Sequence, residues 1–434
     1  MSDATYEVVR LGDLGDGIAQ ARAKAGATAS DTQPSVFIPR GLPGEIWSTP
    51  NDETFDCVQP HPDRVAPACK HFTRCGGCRA QHMPRSVYTA WKTDRVANAL
   101  AQAGVGLNDN RPVADISTFG YGHRRRAVFT ARRVNGAIAL GYHARASTEL
   151  IDIQMCPIAT DDISRALATL KAIAAELAPD RDDIRLTVLS TTTGLDVSVD
   201  GAVRDPNAAC RSRLSEIAEA NGIVRLVVGK RDVVQFAQPA LQVGSAMIVP
   251  ASGTFVQAST KAEAAMIGRV VELAQVAMAK SVVDLFSGVG TFALALGARA
   301  HVTAIDGDQA ALEALRRAAN SMTGLKPIVT RHRDLFREPL APKELSEFDV
   351  AVFDPPRAGA RDQSERIAHS DVPTVIAVSC NPQTFARDAA LLQGGGYVLE
   401  HVQPIDQFAF SEHVELVAHF SKPKRKTGGR RRRR

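Results

Sequence analysis

The sequence predicts an α/β fold, in which a C-terminal doubly wound, Rossmann-like sheet with a final antiparallel strand follows two smaller domains. After Gly253, apolar strand patterns alternate with helical periods, in the order SVVDLF, HVTAID, FDVAVFD, TVIAVSC and YVLEHV. The last apolar run, HVELVAHF, follows after about ten residues, which is too short for a crossover helix and predicts an antiparallel strand. Upstream, residues 6–60 alternate apolar and polar residues between glycine-bearing turns, a pattern typical of a small antiparallel barrel.

These patterns predict four segments. Residues 1–60 form a small OB-like barrel, and residues 61–252 form a mixed α/β central domain with a helix near 160–178 and a hairpin in DIRLTVLSTTTGLDVSVDG. Residues 253–420 form the Rossmann-like domain. Residues 421–434 are a low-complexity basic tail, which is expected to be disordered.

The composition is that of a globular protein, with 44% hydrophobic and 23% charged residues. No charge-free apolar run has the length of a membrane-spanning helix, and the first thirty residues lack an apolar signal core. We therefore expect a cytoplasmic monomer without a membrane partner. In such a chain the seven cysteines indicate metal ligands, a nucleophile or core thiols rather than disulfides.

The positive charge is unevenly distributed. Residues 422–434 carry nine Lys or Arg and no acid, so the net charge of +5 leaves −4 for the rest of the chain. A second basic stretch, residues 64–148, holds fourteen Lys or Arg against three Asp. A solvated basic face would give the same count, but such a concentration is more typical of a surface that follows a phosphate backbone.

A glycine-bearing turn follows the first strand of the Rossmann-like domain. SVVDLFSGVGTFALALG places Gly288 and Gly290 between a strand and a helix, where bare backbone lets a cofactor approach. Asp306 ends the next strand, at the position of an acid that binds ribose hydroxyls. These features fit a dinucleotide and S-adenosylmethionine about equally.

Two later motifs favour a methyltransferase. FDPPRAG, residues 353–359, follows a strand with two prolines that form a stiff ledge, although such a motif can be a simple turn. SCNPQTFARD places Cys380 at the end of the next strand, and Glu415 begins the antiparallel strand at the same edge of the sheet. A cysteine at a strand end is more often a buried structural thiol. Its position opposite a carboxylate, beside the ledge, favours a nucleophile.

A thiolate and a carboxylate around a flat base are what methylation of uridine at carbon 5 requires. Carbon 5 is a poor nucleophile until a thiolate adds to carbon 6, and a base must then remove the carbon-5 proton. The sequence therefore predicts Cys380 as nucleophile, Glu415 as general base and a covalent Cys380–uridine intermediate.

Four further cysteines form a candidate metal site. Cys69, Cys75 and Cys78 have C-x5-C-x2-C spacing, and Cys156 precedes a proline. Spacing alone does not choose between zinc and an iron–sulfur cluster, and His71 and His82 are alternative ligands. The remaining Cys57 and Cys210 are expected to be ordinary thiols.

Together these motifs resemble the bacterial RNA 5-methyluridine methyltransferases, particularly ribosomal RNA members with a TRAM domain and a [4Fe-4S] cluster. The resemblance extends over nearly the whole chain except the tail. It implies S-adenosyl-L-methionine as methyl donor, 23S ribosomal RNA as partner and substrate, and cluster ligation by Cys69, Cys75, Cys78 and Cys156. It also implies the cofactor contacts Gln257, Phe286, Gly288, Asp306, Asp334 and Asp354.

Three alternatives stay open. A transfer-RNA 5-methyluridine methyltransferase would share the chemistry, but resembles this chain less because such enzymes usually lack the cluster and the barrel. A cytosine-5 methyltransferase would place its cysteine directly after the proline ledge. A non-catalytic, metal-bearing RNA-binding module would leave Cys380, Glu415 and the ledge unexplained.

Overall fold

The computed structural model describes residues 4–22, 35–49, 54–107, 113–179, 182–201, 203 and 205–423. The chain divides into two compact units. The first contains Met1–Arg95, Thr118–Gln238 and Phe408–His413, and the second contains Val96–Ser117, Pro239–Gln407 and Val414–Arg434. The N-terminal and central sheets thus share a unit, and the divisions at residues 60 and 252 stay predictions. Within the described ranges, every helix is too short or too polar to cross a membrane.

An antiparallel sheet begins the first unit. Its strands are β1 Ala4–Leu11, β2 Gly17–Ala21, β3 Val36–Ile38, β4 Ile46–Thr49 and β5 Asp56–Gln59. They pair in the order β3-β2-β1-β4-β5, so the described strands form a half-barrel rather than a closed barrel. The period-two pattern buries Val8, Ala19 and Ile38 on one face.

A seven-stranded sheet forms the rest of the first unit, in the order β12-β11-β10-β9-β6-β7-β8. Its strands are β6 Arg126–Val134, β7 Ala137–His143, β8 Leu150–Asp152, β9 Ile184–Ser190, β10 Leu195–Gly201, β11 Ile223–Val228 and β12 Arg231–Gln235. The accompanying helices are α1 Arg85–Gln102, of which the last seven residues belong to the second unit, α2 Asp161–Arg165, α3 Leu167–Leu177 and α4 Ala208–Ala220. The predicted hairpin is confirmed as β9 and β10, and the predicted helix near 160–178 is divided at Ala166.

The second unit contains the Rossmann-like sheet. Its elements are β13 Leu241–Val243, β14 Ala246–Ile248, α5 Thr260–Val276, β15 Ser281–Leu285, α6 Ala293–Gly297, β16 His301–Asp306, α7 Gln309–Ser321, β17 Ile328–His332, α8 Pro342–Leu345, β18 Val350–Phe353, α9 Arg361–Ala368, β19 Thr374–Ser379, α10 Pro382–Gly394, β20 Val398–Ile405 and β21 Glu415–Ser421. The main sheet has the order β17-β16-β15-β18-β19-β21-β20.

The pairing confirms the predicted fold class. Strands β15 to β19 are parallel, and β21 is antiparallel to both of its neighbours, β19 and β20. The sequence prediction omitted β17, a short edge strand with several exposed residues. The carboxyl ends of the parallel strands meet at one edge, where ligands bind in open α/β sheets.

The predicted tail begins later than expected. Ser421 belongs to β21, and Lys422 Nζ donates hydrogen bonds to the carbonyls of Ala368 and Ser370 at 3.0 and 2.6 Å. Residues 424–434, which hold most of the predicted basic tail, lie outside the described residues.

Candidate active site

The turn after β15 has backbone conformations that suit a ligand loop. Phe286, Gly288 and Gly290 have φ values of 60°, 52° and 91°. A Cβ on Gly290 would lie 2.3 Å from Leu315 Cδ1, so a larger residue would require the Leu315 side chain of α7 to move. Asp306 at the end of β16 holds this turn, because its carboxylate accepts from the Gly288 amide at 2.8 Å. The predicted acid and the predicted glycine therefore lie together.

Two other predicted cofactor contacts lie beside this turn. The rings of Phe286 and Phe336 have centroids 5.3 Å apart. Asp334 is near Gly307, where an added Cβ would lie 3.7 Å from the Asp334 Cα. Its carboxylate accepts from the Phe336 amide at 3.0 Å. In the described structure Asp334 therefore stabilises its own turn.

The proline ledge is tied to the loop of Cys380. The Arg357 carbonyl accepts from Asn381 Nδ2 and Thr384 Oγ1, each at 3.2 Å. Beyond it, the Asp388 carboxylate accepts from the Ala360 amide at 2.8 Å. Two loops that follow neighbouring strands are thus held in a fixed relation to each other.

Cys380 and Glu415 are brought together by strand register. Ser379, the last residue of β19, pairs with Leu416 of β21. Cys380 follows Ser379 and Glu415 precedes Leu416, and the two are close enough for the charge of Glu415 to act on the Cys380 thiol. Glu415 is 4% exposed, whereas Cys380 is partly exposed. A partly exposed thiol beside a buried carboxylate is a suitable arrangement for nucleophilic and general-base chemistry.

An amide network links Glu415 to the ledge. Gln407 Nε2 donates to Glu415 Oε1 at 3.0 Å and to Gln257 Oε1 at 2.8 Å. Gln257 Nε2 in turn donates to Asp354 Oδ2 at 3.0 Å. Three predicted residues, Gln257, Asp354 and Glu415, are therefore connected through Gln407, which the sequence analysis missed because nothing in DQFAF distinguishes this glutamine from a surface residue.

The acids of this site share a buried environment. Burial raises the pKa of Glu415 well above its ordinary value, and the charge of Asp354 adds to this, while the Gln407 hydrogen bond opposes it. Burial also raises the pKa of Asp354 to about 7, against the hydrogen bond from Gln257. Burial and neighbouring carboxyls both disfavour ionisation, which is why both pKa values are raised.

Asp284 is a further acid that the sequence analysis missed. It lies in β15, is fully buried and has a pKa raised by burial and by the charges of Asp354 and Asp306. A lone acid inside the apolar strand SVVDL was the available signal, because such a residue is rarely buried without a functional reason.

The predicted nucleophile, Cys380, has a raised pKa. Burial, followed by the charges of Glu415 and Asp354, raises the pKa of the Cys380 thiol to about 12, and Arg357 opposes the shift. A positive charge that entered the site would lower the pKa of this thiol, because opposite charge favours the thiolate.

The four predicted metal-ligand cysteines line one pocket in the first unit. Cys69, Cys75, Cys78 and Cys156 surround it, together with Arg124 and Tyr142. Burial raises the pKa of Cys78 to about 12. Among the described residues, no three His, Cys, Asp or Glu side chains are arranged to hold a single metal ion.

The remaining cysteines and the two histidines named as alternative ligands have other environments. Cys57 is exposed, and Cys210 is buried with its Sγ donating to the Glu176 carbonyl at 3.9 Å. His71 borders the pocket and accepts from the Gln154 amide through Nε2 at 3.2 Å. His82 is buried, and desolvation lowers its pKa to about 4.

The basic stretch is less available than its charge count suggested. Six of its side chains form ion pairs within the first unit, each with an acid: Arg64 with Glu45, Arg74 with Glu149, Arg79 with Glu412, Arg95 with Asp13, Arg132 with Asp183 and Arg145 with Asp16. All six acids lie outside residues 64–148. The local excess of charge therefore overstates the positive surface available to RNA.

The sheet order β17-β16-β15-β18-β19-β21-β20, with β21 antiparallel between β19 and β20, is that of a class I, S-adenosylmethionine-dependent methyltransferase fold. Among solved structures, the Pyrococcus abyssi tRNA (uracil-54, C5)-methyltransferase in complex with S-adenosyl-L-homocysteine has a similar fold, with a TM-score of 0.72 and 21% identity. The alignment covers 96% of this chain and 99% of that one.

Sequence relatives specify the family. Residues 217–422 match the model of the tRNA (Uracil-5-)-methyltransferase family. An uncharacterized RNA methyltransferase of Mesorhizobium japonicum is 41% identical over 98% of this chain and all of its own length. The 23S rRNA (uracil(1939)-C(5))-methyltransferase RlmD of Halomonas elongata is 29% identical over 98% of this chain and 92% of its own. The chain belongs to the RNA methyltransferases and is an S-adenosylmethionine-dependent RNA methyltransferase.

Proposed function

We propose that this protein methylates carbon 5 of a uridine in 23S ribosomal RNA through a covalent Cys380–uridine intermediate. The observation that supports the proposal is the proximity of Cys380 and Glu415 at the carboxyl edge of the sheet, next to the paired residues Ser379 and Leu416. The near full-length similarity to a 23S rRNA methyltransferase supports the choice of RNA.

The proposed cofactor-binding residues lie near the carboxyl edge of the parallel strands. Asp306 and Gly288 are proposed to bind the ribose and methionine ends of the cofactor, with Phe286, Asp334, Gln257 and Asp354 beside them. S-adenosyl-L-methionine supplies a methyl group on a positively charged sulfur. That positive charge would favour ionisation of the buried acids and of Cys380, because opposite charge lowers an acid's pKa.

The residues then act in order. The Cys380 thiolate forms a bond to carbon 6 of the uracil, and the electrons of the 5,6 double bond move toward oxygen 4 as an enolate. Carbon 5 of the enolate would then bond to the methyl group of S-adenosyl-L-methionine, the sulfur–methyl bond would break, and S-adenosyl-L-homocysteine would leave as a neutral thioether. Glu415 removes the hydrogen from carbon 5, the 5,6 double bond re-forms, and the bond from carbon 6 to sulfur breaks to release Cys380 as thiolate.

Trapping tests this sequence. RNA made with 5-fluorouridine should form an adduct with the wild type that survives denaturing electrophoresis, because fluorine cannot leave as a proton. Cys380→Ala should form none and should have no turnover, while it still binds S-adenosyl-L-homocysteine. Normal turnover by Cys380→Ala would contradict the mechanism. Normal turnover together with a lower free energy of unfolding would indicate that Cys380 is a structural thiol.

The RNA itself is identified by mapping. Ribosomal and transfer RNA from a strain lacking the gene should differ from wild type by loss of 5-methyluridine in 23S ribosomal RNA. The runner-up is a transfer-RNA target, which the name of the matching family model favours. Loss of 5-methyluridine from transfer RNA alone would establish that alternative.

A [4Fe-4S] cluster is proposed for Cys69, Cys75, Cys78 and Cys156. The four thiols line one pocket but do not converge as ligands of a single ion would. A cluster binds each thiolate to a different iron, so it fits this spread better than zinc does. The buried Tyr142 hydroxyl, in the same pocket, has no hydrogen-bond partner among the described residues and is available to a cluster sulfur.

The N-terminal half-barrel is proposed to be a TRAM domain that binds RNA. The cytoplasmic location and the monomeric state stay predictions.

A further inference from the structure

Gln407 occupies an unusual position in the site. It is 3% exposed, and its Nε2 donates both of its hydrogens, one to Glu415 Oε1 at 3.0 Å and one to Gln257 Oε1 at 2.8 Å. Its Oε1 is buried and has no hydrogen-bond partner among the described residues. Folded proteins seldom leave a buried amide oxygen unpaired, so an acceptor of this kind calls for an explanation.

The network fixes which way the amide points. Gln257 turns its Nε2 toward the Asp354 carboxylate, and its Oε1 therefore faces Gln407. Gln407 Nε2 donates a hydrogen bond to that oxygen and a second one to the Glu415 carboxyl group. Reversing the amide would set oxygen against oxygen at both neighbours. The unpaired group of Gln407 is thus its oxygen.

We propose that Gln407 is the residue that distinguishes uracil from cytosine, with Oε1 accepting the N3–H of the target base while Nε2 holds Glu415. This inference rests on the proposed function. Along the uracil ring the atoms run C6, C5, C4 and N3. A base bonded through C6 to Cys380, with C5 beside Glu415, would turn N3 toward Gln407, which is hydrogen-bonded to Glu415.

The chemistry of the two bases makes this position selective. Uracil carries a hydrogen on N3, whereas cytosine carries a lone pair there. Uracil would satisfy the Gln407 oxygen, whereas cytosine would place a second acceptor against it. A site built to pair a donor rejects an analogue that lacks the donor more strongly than a merely apolar pocket does.

The test compares two bases in two proteins. Synthetic RNA oligonucleotides span the methylated uridine once it is mapped, and that position carries either uridine or 3-deazauridine, in which C–H replaces N3–H. Single-turnover rates of adduct formation are measured on each. The wild type should prefer uridine by roughly tenfold more than Gln407→Met does, since one buried hydrogen bond of ordinary strength is at stake.

The preference is the rate on uridine divided by the rate on 3-deazauridine. Comparing this ratio between wild type and variant cancels the intrinsic difference in reactivity between the two bases. Gln403→Met is the matched control, because Gln403 Nε2 donates to the carbonyls of Asp115 and Pro404, outside this network. It should keep the wild-type ratio. An unchanged ratio in Gln407→Met would overturn the proposal.

A second variant covers the case in which Gln407→Met does not fold. Gln407→Asn keeps an amide but withdraws its oxygen by one methylene group, so it should fold and lose most of the preference for uridine. A full wild-type preference in this variant would count against the proposal. Failure of wild type to form any adduct with 5-fluorouridine RNA would instead overturn the proposed function itself.

Discussion

Replacing Glu415 with glutamine separates the two halves of the proposed reaction. The new side chain has the same shape and can still accept from Gln407 Nε2 at Oε1, so folding should be preserved. Two effects of opposite direction follow. The carboxylate is, after burial, the largest cause of the raised pKa of Cys380, so its removal should lower that pKa from about 12 and make the thiolate available at lower pH.

The second effect concerns resolution. A positioned general base contributes typically 10²- to 10⁴-fold to a proton transfer, about 3–5 kcal/mol of barrier. Glu415→Gln should therefore form the adduct at lower pH than wild type, transfer the methyl group, and release the RNA roughly 10²- to 10⁴-fold more slowly.

The assay is a single turnover with a labelled methyl group, followed on denaturing gels across a range of pH. The label should accumulate in a protein–RNA band with Glu415→Gln and pass through that band transiently with wild type. Glu400→Gln, on the neighbouring strand β20, is the control and should behave as wild type. Release by Glu415→Gln at the wild-type rate would refute the assignment of the base.

Three further results are expected. First, the free energy of unfolding should fall as pH rises from about 4 to 7. The pKa of Asp354 is raised to about 7 in the folded protein, so the folded state binds a proton that the unfolded state has already lost. Asp354→Asn should flatten this pH dependence in urea titrations. Second, anaerobically purified protein should be brown with about four irons per chain; Cys78→Ala should lose the colour and Cys57→Ala should keep it, whereas a colourless protein with one zinc would contradict the cluster. Third, truncation after Pro423 spares Lys422 and removes eight positive charges; it should weaken RNA binding and flatten its salt dependence while the methylated position stays the same, and a changed position would show that the tail reads sequence.

Strand order and strand ends could be predicted from the sequence, because apolar runs and short links determine them. The positions of Cys380 and Glu415 could be predicted from these strands, since Cys380 follows one apolar strand and Glu415 begins another at the same edge. Gln407 does not, because its role depends on the amide orientation of Gln257, which is 150 residues away in sequence. Neither periodicity nor composition contains that information.

Charge was harder to predict than topology. A window of sequence counts only local acids, whereas Arg64 pairs with Glu45 and Arg145 with Asp16, both outside the window. The small edge strand β17 was missed for a related reason. Its exposed residues give it little apolar pattern, and only its pairing with β16 makes it a strand.

The position of β21 has a consequence for synthesis. It is the last strand among the described residues, yet it lies between β19 and β20 in the sheet. Until residues 415–421 have left the ribosome, the edge of β19 that receives β21 remains unpaired, and the nascent chain presents an open strand edge of the kind that promotes aggregation. The strand that closes this edge also delivers Glu415. Completion of the sheet and arrival of the proposed general base are therefore the same event, and a chain that ends before β21 would have the proposed nucleophile without its base.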